Sequence, residues 1–438
     1  MIVSTGDEVT FDTGDRILIL APHPDDETIA TGGVIQKAAA MGLPIRVVFL
    51  TYGDNAETSF VVYRKRPVVH GEAVQQMGLV RHDEGVAAAG VLGLSPDQLT
   101  FLGYPDFRTL AMWTEHWGDV EPCRSMFTQT TSVPYANALR PGTPYRADEI
   151  LADIEQVLRD FRPTKILVSH PADHNPDHLS LYLFTRVALW NLSDELQPAL
   201  FPFLVHHPDW PDPEGLNPGL PLEPPDRLDK DGVWRVSPLT PEEIDRKAAA
   251  LQEHRTQTKM SADYLNAFMR ANELFGDLPE LMLKPGSSDA ILSWSQSGKA
   301  AIPPELTKAE RAKWVGVARR AVFMEGKNVV FSVDLSRPLG TGVAASVYLF
   351  GYRRDRPFAE MPKLQVRFAE GSQAVLDGSR KIANPNLELR RSPKGFVLRV
   401  PLATLGEPER IMGSARTYVR KVPLDWIAWR ILSVPSGV

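Results

Sequence analysis

Apolar positions in the first half of the chain fall into two alternating patterns. Short unbroken runs, Arg16 to Ala21 (RILILA), Ile45 to Leu50 (IRVVFL), Leu99 to Leu102 and Lys165 to Ser169 (KILVS), have the length of strands buried on both faces. Between them lie segments with helical character. Thr28 to Met41 is rich in small residues, and Gly71 to Met77 and Arg81 to Leu92 follow. In Ala147 to Phe161 the residues Ile150, Leu151, Ile154, Val157 and Leu158 recur at helical spacing, and Pro163 is the stop. The opening strand, loop, helix and strand form a βαβ unit. Its continuation predicts an α/β fold, a doubly wound, mostly parallel sheet.

The pattern then changes twice. Seven prolines between Pro208 and Pro225 predict an irregular surface loop, and Pro241 to Gln257 reads as a helix with Thr240 as its N-cap. Beyond about residue 325, segments 329–335, 345–352, 364–370, 387–391 and 396–402 alternate or are β-branched, with Gly, Ser and Pro between them. This predicts a smaller all-β sandwich. The expected organisation is a catalytic domain over 1–305, a helical connection over 306–325 and a sandwich over 326–438.

Bulk properties narrow the class. A chain of 438 residues suits two domains, and a net charge of −6 argues against a nucleic-acid partner. The lone Cys123 cannot form an internal disulfide and reads as an idle thiol. The N-terminus lacks the basic start and apolar run of a signal peptide, and no stretch approaches the roughly 20 apolar residues of a membrane span. The expectation is a cytoplasmic protein, with a previously removed signal left open. A homo-oligomer is compatible with everything in the sequence.

The chemistry concentrates in two loops. PHPDDE (22–27) leaves the first predicted strand at its carboxyl end, where ligands bind in open α/β sheets. A catalytic zinc takes three protein ligands and leaves one position for water. One His and one Asp of this loop can be two of them, and a second carboxylate can accept the proton of an activated water. The competing reading is that Asp25, Asp26 and Glu27 only cap the next helix. No G-x-G-x-x-G follows the strand, and the acidic loop would repel a pyrophosphate, which disfavours a dinucleotide site. HPADHNPDH (170–178) follows another buried strand and should open on the same sheet edge. Its His178 is the preferred ligand over His174, while His170 and Asp177 read as supports for a ligand or as caps.

The two loops together resemble the LmbE-like, or PIG-L, deacetylases, which carry an [AP]-H-P-D-D-E motif after the first strand and a second motif ending in D-H. Arg81, Glu84 and Ala88 before Leu92-Gly93, the stretch Leu102 to Asp106, and Lys247 with His254 and Gln257 fit the same ordered set, over roughly residues 14 to 275. The resemblance implies a Rossmann-like fold and a zinc-dependent de-N-acetylase acting on an N-acetylglucosamine-type sugar or glycoconjugate, another divalent metal being compatible. By position, His23, Asp26 and His178 would bind metal and Asp25 would be the general base. Arg81 would lie near the substrate and Asp106 in the pocket. Many members place a histidine where this chain has Asn175. An asparagine can donate a hydrogen bond to an oxyanion but cannot donate a proton, so Asn175, His174, His254 and a water are candidates for that duty. Glu27 reads as a support for a ligand or as a cap. Tyr104, Trp113 and Trp117 are candidates to stack on a sugar, and Trp113 to Tyr145 to form a lid or pocket wall. The C-terminal sandwich loosely resembles carbohydrate-binding modules, with Trp426 and Trp429 as either core or glycan platform. The alternatives are an amidohydrolase for a non-sugar amide and a glycan-binding protein with a retired site.

Overall fold

The computed structural model describes residues 7–55, 71–226, 228, 232–285, 302, 306–383, 385–420, 422–426 and 428–435. The chain divides into two units: Met1–Pro225 with Val233–Asp277, and Asp226–Gly232 with Leu278–Val438. Among the described residues no helix is long and apolar enough to cross a membrane.

In the first unit, strands β1 (Ile17–Ala21), β2 (Ile45–Thr51), β3 (Leu99–Tyr104), β4 (Lys165–Ser169), β5 (Ala199–Phe203), β6 (Val233–Pro238) and β7 (Asn272–Asp277) form one sheet of order β3-β2-β1-β4-β5-β7-β6. Strands β1 to β5 run parallel, with Ile17 of β1 facing Ile45 on one side and Lys165 on the other. Every residue of β1 is buried, which explains why its sequence is a continuous apolar run rather than an alternation. From β1 the order runs outward to β2 and β3, and on the other flank through β4 to β5. The gap between β1 and β4 is therefore the point where strand order reverses, the usual place for a ligand. The expected doubly wound α/β sheet is present.

Helices α1 (Asp26–Ala40), α2 (Gly71–Leu92), α3 (Thr109–Glu115), α4 (Ala147–Phe161), α5 (Pro176–Asn191), α6 (Pro241–Glu253) and α7 (Arg255–Asn266) connect and cover these strands. The two helices expected over 71–92 are one. Gly78 sits inside it, and a Cβ there would meet the Tyr135 hydroxyl at 2.4 Å, so the glycine serves a close approach instead of a break. The helix expected over 241–257 ends at Glu253, because the His254 ring is drawn inward to Glu27 and Thr28. Helix α1 is anchored from below. The Glu273 carboxylate accepts from the Gly33 and Val34 N–H groups at 2.7 and 3.0 Å and pairs with Lys247 at 2.8 Å, all buried.

Among its described residues the second unit contains two sheets. The smaller holds β9 (Val317–Glu325), β10 (Asn328–Leu335), β15 (Glu388–Ser392) and β16 (Gly395–Pro401). The larger holds β8 (Leu281–Met282), β11 (Val343–Tyr352), β12 (Lys363–Ala369), β13 (Ser372–Asp377), β14 (Arg380–Lys381), β17 (Arg410–Val419), β18 (Val422–Trp426) and β19 (Arg430–Ser433). Val329, Phe331 and Leu398 of one and Val347, Leu349 and Val366 of the other share one apolar core, as a sandwich requires. Two expectations need correction. Residues 306–325 are not a helical connection: only α8 (Lys308–Ala312) is helical, and Val317–Glu325 is a strand. Gly326, at φ 55°, and Lys327 close a two-residue hairpin between Glu325 and Asn328, and that turn overrides the helical reading. The chain passes into the second unit at Leu278 rather than after residue 305, and Asp226–Gly232 also belongs to it; Leu281–Met282 pair in parallel with Leu432–Ser433. Trp429 is buried against Tyr348 and Phe350, a core residue and not a glycan platform. The side chain of Trp426 lies outside the described residues.

Candidate metal centre

The loops after β1 and β4 meet at the strand-order reversal. In the first, Asp26 opens α1 and its Oδ2 accepts from the His23 N–H at 3.0 Å. The same oxygen lies 3.2 Å from His23 Nδ1 and 3.1 Å from His178 Nε2. In the second, Asn175 caps α5, its Oδ1 accepting from the Asp177 N–H at 2.8 Å, and this sets His178 in the first turn of the helix. One donor atom each from His23, Asp26 and His178 lies within 4.8 Å of the others, and all three residues are buried.

Carboxylates stand behind both imidazoles. His23 Nε2 faces Asp106 Oδ1 at 3.1 Å and Asp177 Oδ2 at 3.3 Å. With the proton held on Nε2 by this pair, the Nδ1 lone pair is directed toward Asp26 and His178. Asp177 also accepts from the N–H groups of Phe107 and Thr109 and from the Thr109 hydroxyl, and Asp106 Oδ2 from the Asn55 N–H at 2.9 Å. On the other side His178 Nδ1 lies 3.2 Å from Asp173 Oδ2, an oxygen that accepts from the Val205 and His206 N–H groups, each at 3.0 Å. His178 Nε2 makes no hydrogen bond of acceptable geometry, although the residue is fully buried, while Nδ1 meets Asp173 as an ion pair. A buried polar nitrogen left so is costly. A cation held by His178 Nε2, Asp26 and His23 Nδ1 would satisfy it, so the donor set fits a divalent metal.

Electrostatics agree with that fit. Burial opposes charge on His23, but Asp106, Asp177 and Asp26 hold its pKa well above the usual histidine value. Burial likewise opposes charge on His178, yet Asp173 and Asp26 raise it to about 9. Asp26 lies well below the usual carboxylate range because the two histidines outweigh its burial. Asp173, buried but facing His178, is held down to about 2. The metal-free centre thus keeps protons that an arriving cation would displace.

Asp25 stands beside the donor set. Burial pushes its carboxyl up to about 6, with Arg81 opposing and Asp26 adding to the shift. Its backbone adopts φ 138° and ψ −31°, a region that costs a non-glycine residue roughly 1–3 kcal/mol. Two groups hold it there: its N–H donates to Glu27 Oε2 at 2.9 Å, and Arg81 Nη2 reaches its Oδ2 at 3.1 Å. Arg81 also donates to the Gly53 and Pro24 carbonyls at 2.8 and 2.6 Å. Only glycine permits this at position 53, at φ 63°, where a Cβ would lie 2.2 Å from the guanidinium.

Several residues expected to face substrate are placed otherwise. Arg81 is buried and committed to Asp25 and two carbonyls. Asp106 is a support for His23, not a free pocket residue. Tyr104 is buried and donates to Asp153 at 2.6 Å, while Trp113 is buried edge-on against Trp117 and Phe184, so none of these is a stacking platform. His254 is buried and faces Glu27 and Thr28 at 3.2 and 3.1 Å. His170, expected to support a ligand, accepts from the Ala172 N–H at 3.0 Å and stacks on Trp234. His174 donates its backbone N–H to His206 O at 2.8 Å, and its ring lies 5.4 Å from that of His207. Cys123 is buried. Asp173 and His206 were not singled out for a role from the sequence. The signal for Asp173 was a carboxylate inside the histidine-rich loop, and for His206 a His-His pair directly after the apolar run Phe201 to Val205.

The fold and the site together define a class: a Rossmann-like α/β domain with a buried His-Asp-His donor set where its strand order reverses. Residues 18–189, from β1 nearly to the end of α5, match the family model described as PIG-L, GlcNAc-PI de-N-acetylase. Residues 18–189 are thus similar to a PIG-L (LmbE-like) domain, and the chain continues into an additional all-β unit. The 1D-myo-inositol 2-acetamido-2-deoxy-alpha-D-glucopyranoside deacetylase 1 of Saccharopolyspora erythraea is 29% identical over 270 residues, covering 59% of this chain and 82% of that protein. The deacetylase of the same description from Kribbella flavida is 27% identical over 297 residues, covering 60% and 89%. Among solved structures, the N,N'-diacetylchitobiose deacetylase of Pyrococcus horikoshii is similar at 18% identity and a TM-score of 0.35, covering 60% of this chain and 86% of that one.

Proposed function

We propose that this protein is a zinc-dependent hydrolase that removes the N-acetyl group from an amino sugar of the N-acetylglucosamine type, free or in a conjugate. The carrying observation is the buried triad His23, Asp26 and His178 with Asp25 poised beside it. When bound, the metal supplies Lewis acidity toward the amide carbonyl and a more acidic water. His23 and Asp26 approach it from one loop and His178 from the other. Asp173, Asp106 and Asp177 hold the imidazoles in the tautomers that ligation needs. Asp25 takes the proton from the attacking water, its position fixed by Glu27 and Arg81. A carboxyl near 6 is ionised at neutral pH yet basic enough to accept that proton. A set of two nitrogens and one oxygen also suits other divalent ions. The sugar assignment draws support from the relatives, whose substrate carries an acetamido-glucose unit.

Asn175, fixed as a helix cap, favours one second reading: a glycan-binding protein whose catalysis has lapsed. Acetate release from a panel of N-acetylated sugars and non-sugar acetamides separates the readings, with protein assayed as purified, after chelation, and after zinc is restored. Release from sugars that chelation abolishes and zinc restores is the expected result. Release from non-sugar amides alone would move the substrate class, and sugar binding without release at full metal content would establish the binding protein.

A further inference from the structure

Three loops leave the carboxyl ends of the adjacent strands β1, β4 and β5. The first two carry the donor set. The third, immediately after β5, carries His206. Its backbone N–H donates to Asp173 Oδ2 at 3.0 Å, the same oxygen that faces His178 Nδ1. Its ring packs edge-on to His178 with centroids 4.7 Å apart, and lies parallel to Tyr264 at 5.9 Å and 11°. Nδ1 is 3.4 Å from the Tyr264 hydroxyl, which itself donates to the Val205 carbonyl at 2.8 Å. Backbone and ring are therefore both fixed, and Nε2 has no hydrogen-bond partner among the described residues. Unlike His178, His206 is partly exposed, as a group that must meet substrate has to be.

Of the other candidates for the oxyanion, Asn175 is oriented by its Oδ1 at the cap of α5, the His174 ring lies beside that of His207, and His254 is buried with Glu27. We propose that His206 is a further catalytic residue, whose ring N–H donates a hydrogen bond to the oxygen of the scissile amide as that oxygen becomes the tetrahedral oxyanion. The inference rests on the function proposed above. Water adds to the carbonyl carbon and its proton passes to Asp25, while the C=O π pair moves onto the oxygen that His206 holds. Collapse breaks the C–N bond and the nitrogen takes the proton from Asp25, giving acetic acid and a free amine; the acid's proton then passes to the amine or to solvent. A neutral imidazole supplies the donated bond when its proton is on Nε2, Nδ1 then being only a weak acceptor toward the Tyr264 hydroxyl at 3.4 Å. Asn175 is then a helix cap without a duty toward substrate, and the departure from the family pattern is compensated from the neighbouring strand.

The test compares the full chain, zinc-loaded, with His206→Ala and His206→Gln. Loss of a single oxyanion donor predicts a kcat about 10²–10³ lower for His206→Ala, with KM and zinc content little changed. Glutamine, which keeps an N–H donor, should recover part of the loss. Acetate affinity, measured by calorimetry on the zinc-loaded proteins, should fall in His206→Ala, because the product carboxylate presents an oxygen to the same donor. Unchanged kcat with unchanged acetate affinity would overturn the assignment, and so would loss of zinc from His206→Ala, which would make the residue a ligand. If the wild type released no acetate from any substrate, the proposed function would fall, while acetate affinity would still decide the role of His206.

Discussion

Asp173 has one predicted task that can be separated from folding: its Oδ2 faces His178 Nδ1 and so favours a lone pair on Nε2 for the metal. Asp173→Asn keeps an oxygen that can accept from the Val205 and His206 N–H groups but removes the charge that stabilises His178. Loss of such a support typically weakens metal binding by about 10–100-fold, equivalent to roughly 1.4–2.7 kcal/mol. Asp173→Ala is the harsher change. Both carboxylate oxygens accept backbone N–H groups, Oδ1 that of Asn175 and Oδ2 those of Val205 and His206. At about 1–3 kcal/mol for each buried donor left unpaired, destabilisation of several kcal/mol is expected. Zinc affinity is read by competition with a chromophoric chelator, and folding by thermal denaturation of the apo and zinc-loaded proteins. The asparagine variant, whose NH2 faces the Asn175 N–H, should melt below the wild type by less than the alanine variant does, and gain less from zinc. Wild-type zinc affinity in a folded Asp173→Asn protein would refute the assignment of tautomers to the site.

Further expectations concern the base, the pH response and the packing. Asp25→Asn should retain zinc and lower kcat by about 10²–10⁴, as measured by acetate release with metal analysis of the same samples. Burial raises the Asp25 carboxyl to about 6 and a bound cation would draw it back down, so kcat/KM should fall as pH drops from about 6 toward the ordinary carboxylate range; a kcat/KM without an acid limb would contradict the role. Asp54 is pushed up to about 7 by burial and by Asp106, so folding favours its protonated form, and that contribution is lost as pH rises from the ordinary carboxylate range through 7. Asp54→Asn should therefore raise the melting temperature at pH 8 and change little near pH 4. Lys247→Ala strands the buried Glu273 carboxylate and should destabilise the first unit by about 3–5 kcal/mol, read as an earlier urea transition.

The donor set was legible because its residues sit in two short motifs directly after buried strands. That β1 and β4 are neighbours, and hence that the motifs meet, followed only from the doubly wound pattern. Burial was harder to read. Arg81, Asp106, Tyr104 and His254 carry polar groups that in isolation suggest contact with substrate, yet each is enclosed with a specific partner distant in sequence, 49 residues away for Tyr104 and 227 for His254. Sequence distance hides such pairings. His206 went unnoticed because it belongs to no motif, and only the order of the strands brings it beside His178. In the second unit the alternating segments announce a sandwich, but Val317–Glu325 is a strand where its sequence suggests a helix, because the turn at Gly326 and Lys327 folds it back onto Asn328–Leu335.

The most direct test of the account is Asp26→Ala, measured for metal content and acetate release on one preparation whose circular dichroism matches the wild type. Asp26 Oδ2 lies between the two histidines, so the account predicts loss of both metal and activity. Full metal content in the folded variant would contradict the His23, Asp26 and His178 centre.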